Sequence, residues 1–500
     1  MFSTLFRRKS GHPLADARRA ERLGDAVRAS ANPLEAASTA ADWLEAAAAD
    51  DALTATEVAR FGQLAHEAGQ GAVRALAQQY VSVGTRSPAE QARAWAALNR
   101  FYVGAAACFD AALARGAAGT DARMELPRMA ICALRSVATQ LKWLHVGREP
   151  VDAALWNRAY RVYALVERLG ISGTRTKVFA DDDRTSTPQQ EFARLVALAI
   201  ASPGSLRLAE IQALDDLIAA AASGFTVGPR SQPEATHWLD LAAAEAPMRL
   251  ARPPRPTDAV RFFCGADAMD FLHHLTVRID ERDAIPEEFR RELDYGPPLA
   301  KAMIEHLRRY CGIDAATRKG PRHRLDSRLE VVWGFDEILD RLQPDRSLAF
   351  LAAETDEWLM EDAGAGGVKA VVSGAPRDWL QVGALVAVRA QAAARWQVGI
   401  VRRLLRARTD RTEVAVQMHT RDATPVALHA DSDGTSDFGL LLDGRRARAG
   451  LIVVVRPGAV HDGPFRVERD GATLQLVPVT RETGPGYQIV HCEEAIERVA

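Results

Sequence analysis

Residues 318–333 read Arg318-Lys319-Gly320-Pro321-Arg322-His323-Arg324-Leu325-Asp326-Ser327-Arg328-Leu329-Glu330-Val331-Val332-Trp333, and the chain changes character across them. Gly320 and Pro321 favour a loop or arm, since neither continues a helix. The run 329–333 is β-branched and aromatic and reads as a strand. Upstream, apolar residues recur at the helical period; downstream they fall into short runs separated by turn residues. This predicts an α+β multidomain chain, with an all-helical N-terminal half, an antiparallel β-barrel and a second β-rich C-terminal segment.

Working back from the arm, the spacing predicts a helix over 299–310 behind Pro297-Pro298 and one or two more between 258 and 298. Pro253, Pro254 and Pro256 break the pattern and read as a domain boundary. Before them, seven to nine helices are expected. Asn32-Pro33 opens one, with proline at the first helical position. Ser87-Pro88-Ala89-Glu90 opens another with a capping box, ahead of the stripe Trp95, Leu98, Tyr102, Ala105, Phe109 and Leu113. A third runs from Asp152 to a stop at Gly170. Thr187-Pro188-Gln189-Gln190 and Ser205 start two more. No fixed repeat period fits this half.

Working forward, runs at 329–333, 368–372, 385–389, 396–404, 413–418 and 425–428 predict six strands, with a helical insert at 336–342. A loop at Asp431-Ser432-Asp433-Gly434 precedes further strands at 451–455, 465–468, 473–477 and 487–490. The expected organisation is 1–250 helical, 258–312 a helical connection, 315–428 a barrel and 435–500 β-rich.

With 500 residues, 48% hydrophobic, 26% charged and a formal charge of -2, the composition excludes disorder, collagen and a membrane bundle. A near-neutral chain carries no global electrostatic footprint for nucleic acid. The five cysteines lie far apart with no CxxC pair, so neither a disulfide framework nor a structural zinc site is expected. Met1-Phe2-Ser3-Thr4-Leu5-Phe6-Arg7-Arg8-Lys9 lacks the apolar stretch of a secretory signal, and no run is long enough to span a membrane. A cytoplasmic protein without membrane association is expected. There are 57 arginines and 6 lysines, so an RxxxR spacing arises often by chance and means little alone.

The arm holds RxxxR at Arg318 and Arg322, and again at Arg324 and Arg328. Guanidinium groups so spaced suit bidentate capture of phosphate and stacking on a purine. Some 40 residues on, Glu361-Asp362-Ala363-Gly364-Ala365-Gly366-Gly367 places a carboxylate before a glycine-rich turn, where it can accept from a guanine edge. Together these motifs resemble the PilZ family, bacterial cyclic di-GMP receptors in which an RxxxR arm enters a six-stranded barrel ahead of a DxSxxG turn. The turn here reads Asp362-Ala363-Gly364-Ala365-Gly366-Gly367, with Gly364 where the family has serine. Val382-Gly383-Ala384-Leu385-Val386 and 396–404 are similar to later strands of long members. The resemblance covers about 110 residues, some 315 to 428. It implies that Arg318 and Arg322 grip the phosphates and stack on guanine, with Arg324 and Arg328 as alternates. Asp362 would read the guanine edge, and Gly364 and Gly367 lie at the turn.

The expected function is therefore a cytoplasmic second-messenger effector that couples cyclic di-GMP binding to contacts of the helical half with an unidentified protein. The alternative is a degenerate scaffold or adaptor that binds no nucleotide. No nucleophile elbow, zinc-protease, Walker or dinucleotide motif points to an enzyme, and no cofactor or metal is implied. His273-His274 reads as a helix surface, since adjacent positions diverge by about 100°. Asp181-Asp182-Asp183 reads as a solvated connection. The basic run Arg402, Arg403, Arg406, Arg408 and Arg411 either adds to an anion site on the barrel or solvates it.

Overall fold

The computed structural model describes residues 11–81, 87–119, 125–178, 185–286, 295–313, 322–343, 354–364, 366–374, 377–391, 393, 395–408, 410–419, 423–430, 436–442, 451–460, 463–469 and 472–495. The N-terminal run 1–9, Asp181–Asp183 and the loop 431–434 lie outside them. By contacts the chain divides into two units, Met1–Pro203 with Leu208–Ala316, and Gly204–Arg207 with Thr317–Ala500.

The first unit holds α1 (Ala17–Arg28), α2 (Pro33–Ala49), α3 (Ala55–Val81), α4 (Pro88–Ala118), α5 (Leu126–Val146), α6 (Ala153–Arg168), α7 (Pro188–Ile200), α8 (Leu208–Ala220), α9 (Ala266–Arg282) and α10 (Pro297–Cys311). Their starts follow local chemistry. Asn32 Oδ1 accepts from the N–H groups of Leu34 and Glu35, and Asp152 accepts from Leu155. Ser87 with Glu90, and Thr187 with Gln190, form reciprocal capping boxes. Each such cap contributes about 1 kcal/mol. Ser205, by contrast, falls in a short 3-10 turn, and α8 begins at Leu208.

Small residues let these helices close in. A Cβ on Gly69 of α3 would lie 2.6 Å from the Phe101 ring and 2.9 Å from the Ala40 methyl. The helix α5 is apolar nearly all round and buried, as expected of a helix at the centre of its unit. Its Arg135 meets Glu191 of α7 at 2.5 Å and its Lys142 meets Asp215 of α8 at 3.1 Å, and Arg194 of α7 joins the same Asp215 at 2.6 Å.

The segment 1–250 is not purely helical. A hairpin of β1 (Thr176–Lys177) and β2 (Thr185–Ser186) interrupts it. A four-stranded sheet, ordered β3-β6-β4-β5, follows from β3 (Thr226–Gly228), β4 (Ala235–Asp240), β5 (Met248–Arg249) and β6 (Val260–Cys264). Strands of two to six residues are too short to establish an alternation, and pairings such as Trp238 with Phe262 are non-local. The prolines 253, 254 and 256 lie in the loop between β5 and β6, inside this sheet and inside the first unit.

The second unit contains two closed six-stranded antiparallel barrels. The first is β7 (Arg322–Trp333), β8 (Asp356–Gly364), β9 (Gly367–Ser373), β10 (Leu385–Ala390), β11 (Gln397–Arg408) and β12 (Arg411–Met418), with α11 (Phe335–Leu342) after β7. Around the wall the order is β7-β8-β9-β12-β11-β10, closing on β7. The second is β13 (Ala423–Ala430), β14 (Ser436–Leu442), β15 (Leu451–Val455), β16 (Phe465–Arg469), β17 (Ala472–Gly484) and β18 (Tyr487–Glu494), in the order β13-β14-β15-β18-β17-β16. Both barrels thus follow the strand order 1-2-3-6-5-4.

Two strand expectations need correction. The run 425–428 belongs to β13 of the second barrel, and the strand that completes the first barrel is β8. β8 reads in sequence as an acidic segment running into a glycine turn. It is a strand because β7 and β9 supply hydrogen-bonding partners on both sides.

Candidate functional site

The two faces of β7, β8, β9 and β12 differ sharply. Inward, Leu329, Trp358, Met360, Val368, Val414 and Val416 fill the barrel. One end is closed by Trp379, stacked 4.3 Å from Trp333 and 6.1 Å from Trp358, with Arg377 held on Asp356 at 3.0 and 3.1 Å. Outward, the same strands carry charge, because a period of two sends alternate residues to solvent.

Register brings the charged residues together. Arg324 on β7 pairs with Asp362 on β8, Asp362 with Lys369 on β9, Lys369 with Ala415 on β12, and Ala415 with Arg403 on β11. Neighbouring strands lie about 4.8 Å apart, so Arg324 and Lys369 flank Asp362 across about 10 Å of wall. A bulge between Met360 and Asp362 turns Glu361 outward too. Glu361 lies 2.9 Å from Lys369 and 2.8 Å from Arg411, and Lys369 lies 3.1 Å from Glu413. Hydrogen bonding to Lys369 holds the Glu361 carboxyl below its ordinary range, and hydrogen bonding to Glu361 raises the lysine. These side chains are about a third exposed, so each pair stabilises by less than about 1 kcal/mol; their effect is to order the wall.

The sequence-derived site residues map onto this wall unevenly. Arg318 lies outside the described residues, as does the side chain of Arg322. The backbone of Arg322 is in β7 opposite Gly364, so from Arg322 onward the expected loop is a strand. The reason is pairing: 322–324 and 327–331 have partners on β8, with the register shifting between Arg324 and Ser327. Arg324 is exposed beside Asp362. Arg328 pairs with Leu359, a turn of pleat away, and its guanidinium is 3.6 Å from Glu357 in a solvent-facing contact. Gly364 and Gly367 pair with each other at the β8–β9 turn. Gly367 has a packing reason of its own: a Cβ there would lie 2.7 Å from the Val416 carbonyl oxygen.

Sequence reasoning missed Lys369, Glu361 and Glu413 as members of this group. For Lys369 and Glu413 the signal present was an outward position in alternating strands, whereas Glu361 is turned out by the bulge; the pairing of β9 with β12 is what joins them. In the basic run, Arg403 shares the row of Arg324, Arg411 is held by Glu361, and Arg402 donates to Gln417 at 2.8 Å. A wall of this kind offers cations to phosphate oxygens and a carboxylate to the N–H donors of a base edge.

Elsewhere, His273 and His274 sit exposed on α9 with ring centroids 6.0 Å apart, and His274 bonds the Asp270 carbonyl. Among the described residues, no group of three or more His, Cys, Asp or Glu is arranged to hold a metal ion. No described helix is long and apolar enough to cross a membrane. A surface hollow lined by Gly11, His12, Pro13 and Asp50 lies on the helical unit, where His12 is committed to the Trp43 carbonyl and stacked on Phe61.

No curated protein matches the chain. One family does: residues 27–231, less than half of the chain and none of the barrel residues, match the family described as cyclic-di-GMP receptor FimW, N-terminal domain. The helical unit, from the end of α1 through β3, is thus similar to the N-terminal domain of a cyclic di-GMP receptor.

Proposed function

We propose that this chain is a cyclic di-GMP receptor whose nucleotide lies on the outer wall of the first barrel. The observation that carries the reading is the register that aligns Arg324, Asp362 and Lys369 beside the Gly364–Gly367 turn. The family match of the helical unit supports it independently. Arg318 and Arg322 would hold phosphates and stack on guanine, with Arg324 and Arg328 able to extend that grip. Asp362 would accept from the guanine edge. Glycine at 364 forgoes a hydroxyl bond worth about 0.5–1.5 kcal/mol. Binding would alter the availability of the helical unit to a protein partner. The five cysteines are all buried free thiols, which suits a reducing cytoplasm.

A second reading, a barrel that has lost its ligand and serves as an adaptor, is favoured by one observation. Glu361 and Glu413 already neutralise Lys369 and Arg411. Calorimetric titration of the full chain with cyclic di-GMP separates the two. The receptor predicts binding that Arg322→Ala abolishes. No heat, together with no displacement of a labelled nucleotide, would leave the adaptor.

A further inference from the structure

The two barrels share one strand order, so their walls correspond strand by strand. The candidate nucleotide wall runs from β7, which carries Arg324, across β8, β9 and β12, the second, third and sixth strands of the first barrel. The last three have β14, β15 and β18 as their counterparts in the second barrel. The chemistry of the two walls is opposite. Outward residues of the first include Glu361, Asp362, Lys369, Glu413 and Gln417, all at least partly exposed. Outward residues of the second are Leu440, Leu442, Val454, Tyr487 and Ile489, all buried.

What buries them is the protein itself. Phe335, Ile338 and Leu339 of α11 pack into the same cluster, together with Ala387 of β10 and Val398 and Ile400 of β11. The cover is pinned by polar contacts. Arg456, just past β15, bridges Asp336 of α11 and Asp437 of β14, each at 2.7 Å, and its guanidinium lies 5.6 Å over the Phe335 ring. Tyr487 donates its hydroxyl to the Gly383 carbonyl at 2.7 Å.

We propose that the second barrel is a self-occupied counterpart of the first: α11 and the β10–β11 wall fill the place that a ligand takes on the first barrel, leaving one nucleotide wall per chain. Such head-to-tail packing uses different faces on the two partners and would continue indefinitely if both ends stayed apolar. The stack cannot extend from the first barrel in the same way, because its corresponding wall carries the Glu361–Lys369–Glu413 ladder instead of an apolar face. The helical insert between β7 and β8 thereby gains a role: it belongs to one barrel in sequence and closes the other in space.

The occupied wall is tested without nucleotide. All five native thiols are buried, so an introduced cysteine is the reactive one. In the full chain, Val454→Cys should react with a maleimide roughly 100-fold or more slowly than Lys369→Cys, because it must await local opening. Asp336→Arg, which breaks the Arg456 clamp, should speed Val454→Cys by roughly tenfold. Equal rates at the two cysteines would overturn the proposal, whether or not the Asp336 variant folds. The count of one wall rests on the function proposed above, and native mass spectrometry with cyclic di-GMP tests it. The Arg324→Glu, Lys369→Glu double variant should lose all bound nucleotide; retention of half would overturn the single wall. Absence of binding to the parent chain would refute the receptor reading and leave the labelling result to judge the occupied wall.

Discussion

Replacing Asp362 by alanine tests the base-reading role proposed for it. Its carboxylate stands on the outer wall, in register between Arg324 and Lys369, and contributes nothing to the barrel interior. A hydrogen bond to a charged acceptor nets about 1.5–3 kcal/mol, and the half-exposed wall places the loss in the lower part of that range. At about 1.4 kcal/mol per decade, a loss of about 1.5–2 kcal/mol raises Kd roughly 10- to 30-fold. Asparagine should not rescue, since its amide N–H₂ would face the donors of guanine. Fold stability should fall by about 1 kcal/mol or less, the range of a partly exposed carboxylate's contacts. The assay is isothermal titration of each variant, paired with thermal unfolding. A Kd within twofold of the parent for Asp362→Ala, alongside loss of binding in Arg322→Ala, would refute the role assigned to Asp362.

In the helical unit, Arg194→Met should destabilise by about 3–5 kcal/mol in chemical denaturation, because it leaves buried Asp215 and Glu191 with one cation fewer; a loss under 1 kcal/mol would contradict this. Burial alone would raise the Asp215 carboxyl, but Arg194 and Lys142 outweigh it and hold it below the ordinary range. Its contribution is therefore present above the unfolded value near 4 and lost as pH falls below it, so Asp215→Asn should flatten the acid limb of the stability profile. Gly69→Ala should cost about 1–2 kcal/mol despite the better helix former, because its methyl meets Phe101 and Ala40. Gly71→Ala, with nothing within 4 Å, should instead stabilise by about 0.5–1 kcal/mol, and equal melting shifts for the two would refute the packing argument.

Helix starts were legible because a cap is chemistry between residues three apart. Asn32, Ser87, Asp152 and Thr187 each accept the expected bonds. The β half was legible as a class and less so strand by strand. β8 was hidden because Asp356, Glu357, Glu361 and Asp362 have poor strand propensity, which pairing on both edges overrides. β13 looked like the last strand of the first barrel because adjacency in sequence says nothing about which barrel a strand closes. The site was half visible: the arm and the Asp362 turn carry motifs, whereas Lys369, Glu361 and Glu413 carry none.

What the sequence by itself determined is what short-range physics decides. That includes the capped helices, the change of period after residue 328, the cluster of guanidinium groups ahead of it, and the glycine-rich turn after Asp362. What only the tertiary structure decided is everything set by strand pairing. Register placed Arg324, Asp362 and Lys369 on one wall, closed the strands into two barrels of one topology, and turned α11 onto the second barrel. A two-residue period leaves each strand two possible faces and any number of partners. Only the closed sheet, with its core on one side, selects among them.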